Sequence, residues 1–238
     1  MNSKPQKAFI LAAGKGTRLR PYTDTIPKPM VEITGTSIIR RTIQKLKDAG
    51  VKEVVVNAHH HADLLIEHLS NISNPHIIIS REDTLLETGG GIKKALHHFG
   101  HEPFYIINGD ALWIDGEEPV FEKLARVWNP DNMDILLFLL PKDKAHLSAF
   151  VGDYHLHQNG RATRARDKNG DHMFAGIRIA KPSIFGGSPD GAFSFLTLMD
   201  KAEESGRLYG MAHGSSWYHI STPEDLESVN QEFHKKGL

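Results

Sequence analysis

Two alanines and two glycines followed by closely spaced cations are the most chemically suggestive feature of this 238-residue sequence. The segment Leu11-Ala12-Ala13-Gly14-Lys15-Gly16-Thr17-Arg18-Leu19-Arg20-Pro21 directly continues the apolar run Ala8-Phe9-Ile10. A strand therefore runs into a turn with almost no side chains, where a ligand can approach the backbone and its N–H groups can meet phosphate oxygens. Lys15, Arg18, Arg20 and Lys28 all fall within 14 residues. Arginine can grip phosphate bidentately, whereas lysine acts as a point charge. Lys28 also stands between Pro27 and Pro29, which restrict the backbone that carries its ammonium group. The segment is not a Walker A loop, because the spacing before Gly-Lys-Ser/Thr is wrong, and it lacks the third glycine of the dinucleotide fingerprint. A glycine turn alone would be an ordinary strand–helix connection. The cations turn the reading toward phosphate.

A second chemical candidate is Asp110, which closes the run Phe104-Tyr105-Ile106-Ile107-Asn108-Gly109. Open α/β sheets place ligands at the C-terminal ends of their strands, and Mg²⁺ takes carboxylate and phosphate oxygens. An aspartate after Asn-Gly is also a good turn former, so the two readings compete.

Strands are expected at about 7–12, 52–57, 76–80, 103–108 and 134–140, with helices at about 37–49, 61–70, 89–98 and 118–128. This alternation predicts an α/β protein with a mostly parallel sheet. Helix 37–49 has the clearest apolar spacing and is followed by Gly50, a natural helix terminator. Between Val151 and Asp171 the turn signals Asn159-Gly160 and Asn169-Gly170 predict hairpins. A strand over Met173–Ala180, a helix over Ala192–Gly206 and a short strand over Trp217–Ile220 follow. Thr222-Pro223 reads as the N-cap and first residue of a final helix. With no repeat and no long linker, residues 1–238 are expected to form one domain.

Composition narrows the partners. Twenty-eight basic and 29 acidic residues leave a formal charge of −1, which offers no electrostatic footprint for nonspecific nucleic-acid or membrane binding. The absence of cysteine excludes a disulfide framework, a thiolate metal site and a thiol nucleophile. No window of 18 uncharged apolar residues occurs, and the start lacks the layout of a cleaved signal, so a cytoplasmic protein is expected. Nothing in the sequence sets an oligomeric state.

The 11–21 segment, followed by Pro27-Lys28-Pro29-Met30, resembles the signature of the sugar-1-phosphate nucleotidylyltransferases. The likeness continues at Glu87-Thr88-Gly89-Gly90-Gly91-Ile92 and Asn108-Gly109-Asp110 and covers about residues 7–230. It implies a three-layer Rossmann-like nucleotidyltransferase fold with a mixed, mostly parallel sheet. About 7–140 would bind the nucleotide and about 141–225 the sugar. It also implies transfer of a nucleotidyl group from a nucleoside triphosphate to a sugar 1-phosphate, with release of pyrophosphate. The short length and the Leu86–Gly91 wording are most similar to members that use UTP and N-acetylmuramate 1-phosphate in cell-wall recycling. Members that transfer guanylyl to mannose 1-phosphate or a heptose 1-phosphate are the near alternatives.

By this resemblance Arg18 would act on the triphosphate and leaving pyrophosphate, and Lys28 on the phosphates at the reaction centre. Ala12, Ala13, Gly14, Gly16, Thr17, Thr88, Gly89 and Gly90 would bind the nucleotide. The glycines after Thr88 would read the base through main-chain groups, unless they merely start a helix, where Glu87 is electrostatically welcome. Asn108 and Gly176, with the hairpin region 153–171, would contact the sugar. Asp110 would hold Mg²⁺.

The pattern breaks late in the chain. The family's Trp-x-Asp-x-Gly-Thr segment aligns with Trp217-Tyr218-His219-Ile220-Ser221-Thr222, which puts His219 where a second metal-binding aspartate is usual. Imidazole suits Mn²⁺ or Zn²⁺ better than Mg²⁺. His219 would hold a softer metal, contact phosphate while Asp110 holds Mg²⁺, or mark a noncatalytic nucleotide-binding homologue. Of the 15 histidines, His59-His60-His61 is expected in a loop near the site's mouth rather than on a metal, and His155 and His157 on an exposed hairpin. Phe193, Phe195, Leu196 and Leu198 are expected in the core, and Phe233-His234-Lys235-Lys236 as a solvated, fraying end.

Overall fold

The computed structural model describes residues 4–142, 151–214 and 216–238. The chain opens with β1 (Lys7–Leu11), a small hairpin of β2 (Glu32–Ile33) and β3 (Thr36–Ser37), and helix α1 (Ile38–Asp48). Then come β4 (Glu53–Ala58), α2 (Ala62–Leu69), β5 (His76–Arg81), α3 (Glu87–Lys94), β6 (Phe104–Asn108), β7 (Leu112–Ile114), α4 (Val120–Val127) and β8 (Ile135–Pro141). The second half holds β9 (Tyr154–Leu156), β10 (Ala162–Arg164), β11 (His172–Ala180), α5 (Leu196–Glu204), β12 (Leu208–Ala212), β13 (Ser216–Tyr218) and α6 (Pro223–Lys236).

Nine strands form one mixed sheet. β5, β4, β1 and β6 run parallel in that spatial order, and β11 lies antiparallel to β6. β8 pairs with the other side of β11 and carries β12 parallel to itself, while β9 and β10 extend from the start of β11. Both faces are covered, which is why the central strands read as unbroken apolar runs. Ala8, Ile10, Val54, Val56, Tyr105 and Ile107 pack on one face with residues of α1, α2 and α4. Phe9, Val55, Phe104 and Ile106 pack on the other with residues of α3 and α5. This is the expected three-layer arrangement.

Ends of helices follow from their residues. Ser37 Oγ accepts the Arg40 N–H at the start of α1, and at its end Gly50 (φ +79°) lets Val51 N–H reach Leu46 O at 3.0 Å. The capping box expected around Thr222 is completed by Asp225, which returns its carboxylate to the Thr222 N–H at 3.0 Å.

Several expectations need correction. The helix expected from Ala192 begins at Leu196, because residues 191–192 form a bend with Gly191 at φ +81° and the Phe193 backbone is hydrogen-bonded to Leu86, Gly89 and Gly90 around the start of α3. Helix 89–98 ends at Lys94 and continues only as a single tighter turn over Leu96–His98. The tail is solvated at His234, Lys235 and Lys236 as expected, but it stays helical to Lys236 and Phe233 is buried on α6 with Leu226 and Val229, against Leu19, Ile33 and Tyr218. β2, β3, β7 and β12 lie outside the strands that the sequence predicts, since two- and three-residue strands and a glycine-containing one carry little periodic signal. The 151–171 region does form a hairpin, with His155 and His157 exposed. No described helix is long and apolar enough to cross a membrane.

Candidate active site

The C-terminal ends of β1 and β6 open into a cleft of about 540 Å³. Its floor depends on Gly109. A Cβ there would stand 2.4 Å from Leu11 O and 2.9 Å from Pro29 Cγ, so only glycine lets the end of β6 touch both the end of β1 and the Pro27–Pro29 segment. That approach brings Asp110 against Lys28, whose Nζ donates to Asp110 Oδ2 at 2.6 Å. The Lys28 side chain is only 12% exposed, whereas that of Asp110 is 42% exposed, so the lysine is the buried member of the pair.

The glycine loop wraps the other side of the cleft. Gly16 has φ +61°, and its carbonyl accepts from Thr23 Oγ1 at 2.9 Å. Leu19, fully buried with α6 and β2, anchors the turn Thr17–Leu19 and leaves Arg18 exposed on the cleft wall. A Cβ on Gly14 would meet nothing, which leaves open space beside the backbone at that position. Behind the loop, His60 Nε2 lies 3.1 Å from Thr23 O and His61 Nε2 lies 3.0 Å from Asp24 O. These two histidines brace the loop.

Ala12, Ala13, Gly14, Gly16, Thr17, Arg18, Lys28, Thr88, Asn108 and Asp110 all line this one cleft, as expected of a single site. Gly176 does not line it. With φ +81° in the bulged part of β11, it packs on Asn108, where a Cβ would approach the Asn108 Cβ to 3.2 Å. Gly89 and Gly90 depart further from expectation. Their N–H groups donate to Phe193 O at 2.8 and 3.2 Å, so they are not free to read a base. A Cβ on either would strike Phe193 or Gly191 within 2.4 Å, so these glycines serve close packing at a helix start. Thr88 Oγ1 accepts from Phe195 N at 2.8 Å and ties this helix start to the same segment.

Two residues missed in the sequence organise the base of the cleft. Asn57, at the end of β4, accepts the Ala12 N–H at 2.6 Å and donates to Glu82 Oε1 at 2.7 Å. Glu82 Oε2 accepts the Leu86 N–H at 3.0 Å, just before α3, and both side chains are buried. The glycine loop and the start of α3 are thus joined through two buried polar groups, and the Ala12 N–H is already taken by one of them. The available signal was a polar residue ending the run Val54-Val55-Val56.

His219 stands at the rim beside Ser221, which lines the cleft; its Nε2 lies 2.5 Å from Ser221 Oγ and its ring stacks on Trp217. Burial lowers its pKa, Lys28 and Arg18 lower it further, and Asp225 and Asp110 oppose them, so the imidazole is held neutral beside the cations. No group of three His, Cys, Asp or Glu side chains suited to a metal occurs among the described residues. Asp110 still fits a Mg²⁺ ion, which commonly takes one or two carboxylates and completes its shell with substrate phosphates and water. Its Oδ2 is engaged by Lys28, which leaves Oδ1 as the donor.

A glycine loop, two cations and one half-exposed carboxylate at the ends of parallel strands suit a nucleoside phosphate and a second phosphate-bearing substrate. The family model described as nucleotidyl transferase matches residues 7–166, and the chain belongs to that family. It is 36% identical over 231 residues to N-acetylmuramate alpha-1-phosphate uridylyltransferase of Caulobacter vibrioides, covering 94% of this chain and 95% of that protein. It is 30% identical to the protein of the same name from Neisseria meningitidis, covering 91% of this chain and 93% of the other. Its fold is that of HddC from Yersinia pseudotuberculosis, with a TM-score of 0.77, 24% identity, and coverage of 96% of this chain and 99% of that one. The molecule is an enzyme that transfers a nucleotidyl group to a sugar 1-phosphate.

Proposed function

We propose that this enzyme transfers uridylyl from UTP to N-acetylmuramate 1-phosphate in the cytoplasm, as a step of peptidoglycan recycling. The observation that carries the choice of base and sugar is the 36% identity to the Caulobacter vibrioides uridylyltransferase along nearly the whole of both chains. We assign about residues 7–140 to the nucleotide and about 141–225 to the sugar within one domain; residues 143–150 and 215 of the latter part lie outside the described residues.

In this reading the 1-phosphate oxygen of the sugar attacks the α-phosphorus of UTP. The bond from that phosphorus to the oxygen bridging it to the β-phosphate breaks, and pyrophosphate leaves with the bonding electrons. Such a transfer needs positioning and charge neutralisation more than covalent help. Arg18 grips the triphosphate and the departing pyrophosphate, while Lys28, fixed by Asp110, neutralises charge at the reaction centre. The loop from Ala13 to Thr17 cradles the phosphates, and Asn108, held by Gly176, lies on the sugar side. Asp110 would hold Mg²⁺, with His219 favouring Mn²⁺ as the alternative, and the ion would supply charge neutralisation on phosphate oxygens.

The direct test is pyrophosphate release across UTP, GTP, dTTP, CTP and ATP, each with a panel of sugar 1-phosphates, in Mg²⁺ and then Mn²⁺. Turnover confined to UTP and N-acetylmuramate 1-phosphate is the expected result. Turnover with GTP and mannose or heptose 1-phosphate would replace the base and sugar, and silence throughout with nucleotide binding intact would make the chain a noncatalytic homologue.

A further inference from the structure

Arg178 lies in the last third of β11, paired in register with Ile106 of β6 and Leu137 of β8. It is only 3% exposed, its Nε has no hydrogen-bond partner, and no ion pair among the described residues includes it. Its Cζ lies 4.2 Å from the centroid of the Phe195 ring and 5.2 Å from that of Phe174. Burial pushes its pKa down to about 9, opposed only by Tyr154. Aromatic faces offset part of the cost of taking a guanidinium out of water, but not the loss of its hydrogen bonds. Other arginines are held differently: Arg164, on strand β10, is held by both oxygens of Asp200 at 3.1 and 2.9 Å, and Arg41, whose Nε is likewise unpartnered, donates through Nη2 to Ile33 O and Thr34 Oγ1.

The two rings that bracket Arg178 belong to segments that wall the cleft. Phe195 follows Ser194, a cleft residue, and its N–H is bound to Thr88. Phe174 is only partly buried and precedes Gly176, which packs on Asn108. Ile106, the register partner of Arg178, is two residues short of Asn108 on the same strand. The guanidinium therefore packs on rings whose chain segments reach the cleft at Ser194 and border Asn108 through Gly176.

We propose that Arg178 is a specificity residue that receives a carboxylate carried by the sugar 1-phosphate, so that the enzyme selects an acidic sugar over its neutral counterpart. Displacement of the Phe174 ring opens the way, and the carboxylate supplies an acceptor to the Nε, which has none here, while its second oxygen meets the neighbouring Nη of the fork. The inference rests on the reading that sugar 1-phosphate occupies the Asn108 side of the cleft. N-acetylmuramate 1-phosphate carries a carboxylate on its lactyl ether, and N-acetylglucosamine 1-phosphate is the same sugar without that group, so the pair isolates the contact.

The experiment compares kcat and KM for both sugars with UTP in the wild type, Arg178→Gln and Arg178→Lys. Arg178→Gln is expected to raise KM for the acidic sugar by about tenfold or more while KM for the neutral sugar stays within about threefold, since a site built around a polar contact discriminates through it. Arg178→Lys should retain part of the preference. Equal losses on both sugars would make Arg178 a packing residue, and no loss on either would remove it from recognition; each overturns the proposal. UTP-induced thermal shifts report whether each variant is folded, and if Arg178→Gln is not, the ratio between sugars in Arg178→Lys decides: an unchanged ratio overturns the proposal. A wild type that binds UTP but turns over no sugar 1-phosphate would sink the functional reading and this inference with it, whereas a wild type active on both sugars without preference would sink the inference alone.

Discussion

Lys28 Nζ and Asp110 Oδ2 meet at 2.6 Å across the floor of the cleft, joining segments 82 residues apart. The pair links a proline-flanked turn after β1 to the end of β6, and both groups lie where phosphate charge would gather. Replacing Lys28 by Met is expected to lower kcat by about 10²–10³, in line with the loss of one preorganised charge-stabilising group. The melting temperature should move by no more than about 3 °C, because the Asp110 carboxylate left without its partner is half-exposed and keeps its water, while Met fills the buried space of the lysine stem. Steady-state kinetics beside a thermal melt checks both; a large melting shift with unchanged kcat would make the pair structural.

Arg18 is exposed on the cleft wall, while its neighbour Leu19 is buried. Arg18→Lys keeps the charge and loses the fork, so UTP affinity should fall by about tenfold, with a further drop in Arg18→Ala. Isothermal titration with UTP measures this, and equal affinity in all three proteins would take Arg18 out of triphosphate binding.

Asn57 and Glu82 should behave as a unit. Glu82→Ala leaves the Asn57 amide and the Leu86 N–H without their acceptor, at a cost of about 1–3 kcal/mol for each buried group. Because the same groups hold Ala12 and the start of α3, KM for UTP should rise as well. Gly91→Ala attacks the contact from the other side, since its Cβ would lie 2.5 Å from Glu82 Oε1 and 2.8 Å from Asn57 Nδ2. Urea unfolding of the single and double variants tests the coupling; strictly additive losses for Asn57→Ala and Glu82→Ala would mean the two act separately.

At the rim, His219→Asp restores a second carboxylate beside Asp110. The variant is expected to need less Mg²⁺ for half-maximal activity and to lose preference for Mn²⁺. Metal titrations of both proteins after chelator treatment decide it. Identical curves would leave His219 a phosphate-contacting or packing residue.

Burial depresses the pKa of His68 and of His213, with Arg40 and Lys123 respectively adding to the effect. In both cases the unfolded chain, with histidine near 6.5, binds protons that the folded state refuses. Stability contributed by the neutral forms is complete above that value and is lost as pH falls toward the folded pKa values. Melting temperature should therefore drop between pH 7 and pH 5.5, and less so in His213→Gln. A higher melting temperature at the acid end would contradict the assignment.

Much of this molecule was legible before its fold. Strands β1, β4, β6 and β8 announced themselves because central strands covered on both faces read as near-continuous apolar runs, and the edge strand β5 did so through Ile77-Ile78-Ile79. The loop from Ala12 to Thr17, Arg18, Lys28 and Asp110 were legible because few other uses explain bare backbone and prolines beside cations. The sequence by itself thus determined the strand–helix alternation, the phosphate loop and the class of chemistry, all of which depend on neighbours within a few residues. The tertiary structure decided what depends on residues far apart. It spends the Gly89 and Gly90 N–H groups on Phe193, binds Ala12 through Asn57 to Glu82, and encloses Phe233 with Leu19. It also leaves Arg178 buried between two rings without a carboxylate. Local spacing reports which groups a segment offers; only packing determines which of them are already satisfied and which are left for a substrate.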